Sequence, residues 1–168
     1  GEGAVSRCYV HTPSGRLLYR VDTSGGGEVH HYLFDLSGNA MALVTTGGVV
    51  AAAYALDPYG VPLAQSGLVS VVDQPFTFGG ERGVRREGGD GLYLAGARWY
   101  DARTARFLSP EPVWPDPGAP ALLNPFQYAL GDPVSRSDAD GRQPRYAGMS
   151  VALAEARRLH GTYQDAEK

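Results

Sequence analysis

Three glycines, Gly15, Gly38 and Gly60, each follow a tyrosine by six residues, at Tyr9, Tyr32 and Tyr54. The segments read YVHTPSG, YLFDLSG and YALDPYG, and each runs on into an aliphatic stretch. A period of about twenty-two residues, kept three times, marks a stacked supersecondary unit rather than an isolated turn. Within a copy the tyrosine ends an incoming strand, burying its ring while its hydroxyl stays available to a partner. A D-P-x-G or D-x-S-G turn follows, in which glycine supplies the positive φ at no steric cost. Ser24–Gly27 and Thr45–Gly48 read as the opposite turns. Such a hairpin cannot cover its own apolar face and has to stack on neighbours. The chain is therefore expected to be all-β.

Composition agrees with many short strands joined by tight turns. Gly 23 and Pro 12, in 168 residues, are spread along the chain rather than gathered in one low-complexity block. Fifteen basic against eighteen acidic residues give a net charge of −3, without a basic cluster, which argues against a nucleic-acid groove. No apolar run approaches the roughly 20 residues of a membrane-spanning helix. Cys8 is the single cysteine, so no internal disulfide forms, and it reads as a small buried apolar residue. The chain opens on Gly1 with repeats already under way, and is expected to be a piece of a longer protein with more copies upstream.

The second landmark is Gly91 to Pro112, GLYLAGARWYDARTARFLSPEP. Residues 92–97 read as one strand with apolar or small side chains on both faces, broken at Arg98. Trp99 and Tyr100 place two rings beside that arginine, in position for a cation–π contact, or the arginine forms a buried ion pair. Asp101 to Thr104 reads as a turn held by the Asp101 carboxylate, Arg106 to Leu108 as the returning strand. Pro110 and Pro112 end it. Before this hairpin, Leu68 to Val72 reads as a strand and Glu81 to Asp90 as a surface loop or a wide hairpin turn leading into it. After it come an irregular Pro-rich crossing at 113–123, a short helical turn or last strand at 124–129, and turn chemistry throughout GDPVSRSDADG at 131–141. Met149 to Leu159 has the composition and spacing of a helix.

These segments resemble a known family. The Tyr-x-x-Asp-x-x-Gly copies are similar to the YD repeats of Rhs proteins, and residues 91–112 resemble the Rhs repeat-associated core pattern G-L-Y-Y-x-R-A-R-Y-Y-D-x-x-T-G-R-F-L-S-x-D-P. Asn124 to Tyr128, Gly131 to Val134 and Asp138 to Gly141 resemble the N-x-Y-x-Y, G-N-x-P-V and D-P-x-G segments that follow it. The resemblance implies YD-type repeats at 1–67, the core at 68–141, and a variable, helical tail at 142–168. It further implies part of a spiral β-shell of stacked hairpins, closed at one end by the core and enclosing a C-terminal toxin or effector region. Partners would be other YD repeats of the same or neighbouring chains and that effector region, and the location secreted or cell-surface. Relatives of this kind include the C component of Tc toxins and the adhesive teneurins.

Some members cut themselves after D-P-x-G with two carboxylates, one acting as base and one as acid. By the resemblance these would be Asp138 and Glu111, with Asp116, Asp132 and Asp140 as substitutes. Glu111 is one methylene longer than the family's aspartate, Ala139 stands for its proline and Arg142 for its leucine. A misplacement of about 1 Å can cost on the order of 10²-fold in rate. The preferred reading is therefore a structural shell segment whose acids serve turns, with aspartyl self-cleavage as the one activity left open. The other alternative is an adhesive or filament-forming surface protein joined through sheet edges. The structural residues expected to matter are Tyr9, Gly15, Tyr32, Gly38, Tyr54, Gly60, Arg98, Trp99, Tyr100 and Asp101. Adjacent His30 and His31 face opposite ways in a strand and cannot jointly hold a metal, and His11 and His160 have no ligand spacing, so neither metal nor cofactor is expected.

Overall fold

The computed structural model describes residues 7–23, 26–67, 74–87, 91–112, 123–142 and 145–146. The repeats form a six-stranded antiparallel meander in sequence order: β1 (Arg7–His11), β2 (Leu17–Asp22), β3 (Glu28–Phe34), β4 (Ala40–Thr45), β5 (Val50–Leu56) and β6 (Pro62–Gly67). Each repeat tyrosine lies on an odd strand, and each repeat turn follows a one-residue shift in register, at Val10/His11, Leu33/Phe34 and Ala55/Leu56.

The turn chemistry explains the conserved spacing of the copies. Asp35 Oδ1 accepts from the backbone N–H groups of Ser37 and Asn39, both at 2.8 Å, and the Gly38 N–H returns to the Asp35 carbonyl. Asp57 repeats this with Tyr59 and Val61 at 2.9 and 2.8 Å. Thr12 stands in for the aspartate in the first copy, its hydroxyl accepting from Arg16 N–H at 3.0 Å. Gly15, Gly38 and Gly60 close these turns at φ of 85°, 83° and 95°. Thr45 and Gly48 build the same turn at the opposite end of the sheet.

Two apolar clusters result. Leu17, Tyr32, Ala40, Leu43, Ala52 and Tyr54 form one on a face of the repeat sheet. Gln74 to Phe78 crosses that face: Tyr32 donates its hydroxyl to Gln74 Oε1 at 2.8 Å, and Phe76 meets Tyr9 edge-on at 4.9 Å. Phe78 then enters the second cluster with Val84, Tyr93, Tyr100, Phe107, Tyr128 and Ala129.

That cluster is built on a second sheet, β7 (Arg85–Arg86), β8 (Leu92–Ala95), β9 (Arg98–Asp101) and β10 (Arg106–Phe107), in the order β10-β9-β8-β7. A final pair joins β11 (Arg136–Ser137) to β12 (Arg145–Tyr146). Two expectations are corrected here. Residues 92–97 are not one strand: the chain reverses at Gly96–Ala97, because the Gly96 α-carbon lies against the Asp140 carbonyl and Ala97 N–H donates to that oxygen at 3.1 Å. The expected hairpin is therefore a three-stranded meander, β8-β9-β10. The second is Cys8, which is exposed on β1 rather than buried. In 81–90 a 3-10 turn (Gly80–Arg82) leads into β7, which pairs antiparallel with β8, as a wide hairpin turn would have it. In 124–129, Gln127 bridges to Arg106 before a 3-10 turn at Ala129–Gly131, and the turn-rich 131–141 contains β11. The strand at 68–72, most of the crossing at 113–123 and the helix at 149–159 lie outside the described residues.

Candidate functional site

Arg98 opens β9 with its side chain pointing into the second cluster, 3% exposed. An arginine so buried has to satisfy its donors, and each nitrogen of this guanidinium does so. Nε donates to the Gly141 carbonyl at 2.6 Å and one terminal nitrogen to the Pro125 carbonyl at 3.0 Å. The other terminal nitrogen meets both Glu111 Oε2 at 2.7 Å and Asp138 Oδ2 at 3.2 Å. The guanidinium carbon lies 3.5 Å over the centre of the Phe107 ring. Arg98 thus makes both the ion pair and the cation–π contact, but the ring is Phe107. Trp99 alternates to the opposite face of β9 and is 41% exposed, while Tyr100 is fully buried in the aromatic cluster.

Each arm of the clamp has its own support. Glu111 follows Pro110, and its N–H donates to Pro125 O at 2.8 Å, which ties the end of the meander to the 124–128 segment. Asp138 follows β11 and is 1% exposed. Its Oδ1 accepts from Arg142 N–H at 3.0 Å, and its own N–H faces the Tyr128 hydroxyl at 3.5 Å. Burial pushes the Asp138 carboxyl up to about 6; Arg98 and the Arg142 amide oppose that, while the charges of Asp140 and Glu111 add to it. Burial likewise works against the charge on Arg98, which its three neighbouring carboxylates sustain.

The consequence is that the Gly141–Arg142 peptide is gripped from both sides, its carbonyl by Arg98 and its amide by Asp138. Asp140 joins at the edge: its Oδ1 also accepts from Arg142 N–H at 3.2 Å. Asp132 is elsewhere, accepting from Ser135 N–H within the preceding turn. Asp116 lies outside the described residues. Asp101 holds the turn between β9 and β10, accepting from Arg103 N–H and the Thr104 hydroxyl. Sequence reasoning did not single out Phe107, Tyr128 or the Pro125 carbonyl. Phe107 and Tyr128 carry a signal only through the resemblance, as the phenylalanine of its R-F-L-S run and the last tyrosine of its N-x-Y-x-Y segment, and the Pro125 carbonyl carries none.

A wall of tyrosine–glycine hairpins running into an arginine-centred core with a D-x-D-G turn defines a YD-repeat shell protein. The chain is similar to the Rhs/YD-repeat proteins, in sequence to the WapA nucleases and in fold to segments of Tc toxin assemblies. It is 27% identical over 140 residues to the tRNA3(Ser)-specific nuclease WapA of Bacillus spizizenii, covering 83% of this chain and 6% of that protein. It is 30% identical over 135 residues to Salivary gland surface protein 1 of Aedes aegypti, covering 80% of this chain and 4% of that protein. The chain therefore spans only a small fraction of the relatives it matches. Its fold is that of a segment in the TcdB2–TccC3–Cdc42 crystal structure, with a TM-score of 0.66 at 21% identity over 81% of this chain and 6% of that one. The Photorhabdus luminescens Tc holotoxin pore gives 0.64 at 20% identity over 84% and 6%. No protein-family model matches the chain.

Proposed function

We propose that this chain is the closing segment of an extracellular YD-repeat shell that carries a C-terminal effector region, and that its core cuts the Gly141–Arg142 peptide. The observation carrying the second part is the grip on that peptide. A guanidinium at 2.6 Å from the carbonyl oxygen is placed to stabilise an oxyanion there. Asp138 touches the departing nitrogen, and Glu111 meets the same Arg98 nitrogen as Asp138. In hydrolysis, Glu111 takes a proton from a water molecule as the water oxygen bonds to the Gly141 carbonyl carbon. Protonated Asp138 then gives its proton to the Arg142 nitrogen as the C–N bond breaks. The products are a Gly141 carboxylate and an Arg142 amine. Supporting the carrier role are the nuclease name of one relative and the toxin assemblies that share the fold.

Mass measurement of the purified full-length protein tests this. A break after Gly141, abolished in Asp138→Asn, supports the proposal, whereas the same intact mass for both removes the cleavage. A second reading, adhesion through sheet edges, draws on the relative named as a surface protein and on β1 and β6, the outer strands of the repeat sheet among the described residues. Electron microscopy separates a closed shell from a fibre.

A further inference from the structure

The third repeat turn is connected to the clamp by an unbroken set of contacts. Tyr93 donates its hydroxyl to the Gly60 carbonyl at 2.7 Å, and Tyr100 donates to the Tyr59 carbonyl at 2.8 Å. Gly60 itself lies against Phe78, so closely that a Cβ there would sit 2.6 Å from the ring. Phe78 stacks on Tyr100 at 5.6 Å, Tyr100 meets Tyr128 at 4.5 Å and Phe107 at 5.5 Å. Phe107 carries the Arg98 guanidinium, and the Tyr128 hydroxyl faces Asp138 N–H. Both groups that grip the Gly141–Arg142 peptide therefore rest on rings anchored to two backbone carbonyls of the last repeat.

We infer that docking of the Tyr54–Gly60 turn positions the clamp, so that the peptide is held only once the repeat wall has reached the core. Tyr93 and Tyr100 are positioning residues, and the carbonyls of Tyr59 and Gly60 are the surface they read. The physical reason is that losing either partner of such a bond, the buried hydroxyl or the carbonyl that accepts it, leaves the other to move in search of a new one. In a close-packed ring stack that movement reaches its neighbours. Arg98 has little slack, since it is bonded at every nitrogen and stacked on Phe107. The consequence for cutting rests on the proposed self-cleavage: a wall that has not closed cannot be severed from what it carries. The positioning itself is testable without a cut.

The experiment measures hydrogen exchange of the Arg142 amide in the full chain carrying Asp138→Asn, whose side-chain oxygen still accepts that amide. Adding Tyr100→Phe or Gly60→Ala should speed exchange at Arg142 by about tenfold or more, the equivalent of one lost hydrogen bond. Leu17→Ala, which opens a cavity in the other apolar cluster, should leave Arg142 protected. Unchanged exchange in Tyr100→Phe overturns the inference. So does faster exchange that is equal at Arg142 and at the Leu43 amide of the repeat sheet, which would report global loosening. With Asp138 restored, a slower cut and a displaced pH profile in Tyr100→Phe add support, and an unchanged cut overturns the coupling while leaving self-cleavage standing. Absence of any cut, together with selective exchange at Arg142, retains the positioning and discards self-cleavage.

Discussion

Arg98 Nε lies 2.6 Å from the carbonyl oxygen of Gly141, so the first residue of β9 holds the last residue of the D-x-D-G turn. The same guanidinium pairs with Asp138 and Glu111, two carboxylates from different parts of the chain. Removing the arginine would leave Asp138 buried without its counter-charge. Arg98→Leu is therefore expected to destabilise the chain by about 3–5 kcal/mol, the usual cost of breaking a buried pair from one side. Arg98→Lys keeps the charge but cannot reach four oxygens with one planar fork, and should recover only part of the loss. Chemical denaturation of the three proteins measures both.

Asp138 gives a pH dependence whose sign is fixed. Its folded-state value, about 6, lies above that of an unfolded aspartate, so the folded chain binds this proton more tightly. The resulting stability is fully present below the unfolded value near 4 and is lost as pH rises through about 6, by about 2–3 kcal/mol at most. Unfolding free energy should fall between pH 4 and 7 in the native sequence, and this component should vanish in Asp138→Asn. If protonated Asp138 is the acid, cutting should also slow as pH rises through about 6. A flat difference between the two proteins across this range would contradict the assignment.

The repeat turns differ in a measurable way. Asp57 accepts from two backbone amides, Thr12 Oγ1 from one. At about 1 kcal/mol for each bond, Asp57→Ala should cost about 2 kcal/mol and Thr12→Ala about 1 kcal/mol. Thermal or denaturant unfolding of the pair provides the comparison.

Gly96→Ala should be more damaging than a turn substitution of the same kind. At Gly96 the added methyl would run into the Asp140 carbonyl, which is backbone and cannot step aside, whereas at Gly15 it would meet open space. Both positions have positive φ, so Gly15→Ala carries only the conformational cost, about 1 kcal/mol, and Gly96→Ala should exceed it by 2 kcal/mol or more. Equal losses would mean that the Gly96–Asp140 approach does not hold in solution.

The parts legible in the sequence are those whose cause is local. A tyrosine six residues before a glycine, with an acid or hydroxyl between them, fixes a strand end and its turn without reference to anything distant. The meander around Arg98 was only partly legible. Alternating small and apolar side chains make 92–97 look like one strand, and the reversal at Gly96 is imposed by Asp140, far along the chain. By adjacency Trp99 and Tyr100 are equal candidates to stack on Arg98, yet strand alternation turns Trp99 away and the returning β10 brings Phe107 over the guanidinium. Glu111 and Asp138 are paired by the resemblance alone. Their shared contact with one Arg98 nitrogen depends on three chain segments meeting, which no local pattern encodes.

The most direct measurement is the mass of the purified full-length protein beside its Asp138→Asn form. The account predicts that the native sequence is broken between Gly141 and Arg142 and that the variant is whole. One unbroken species in both would contradict it.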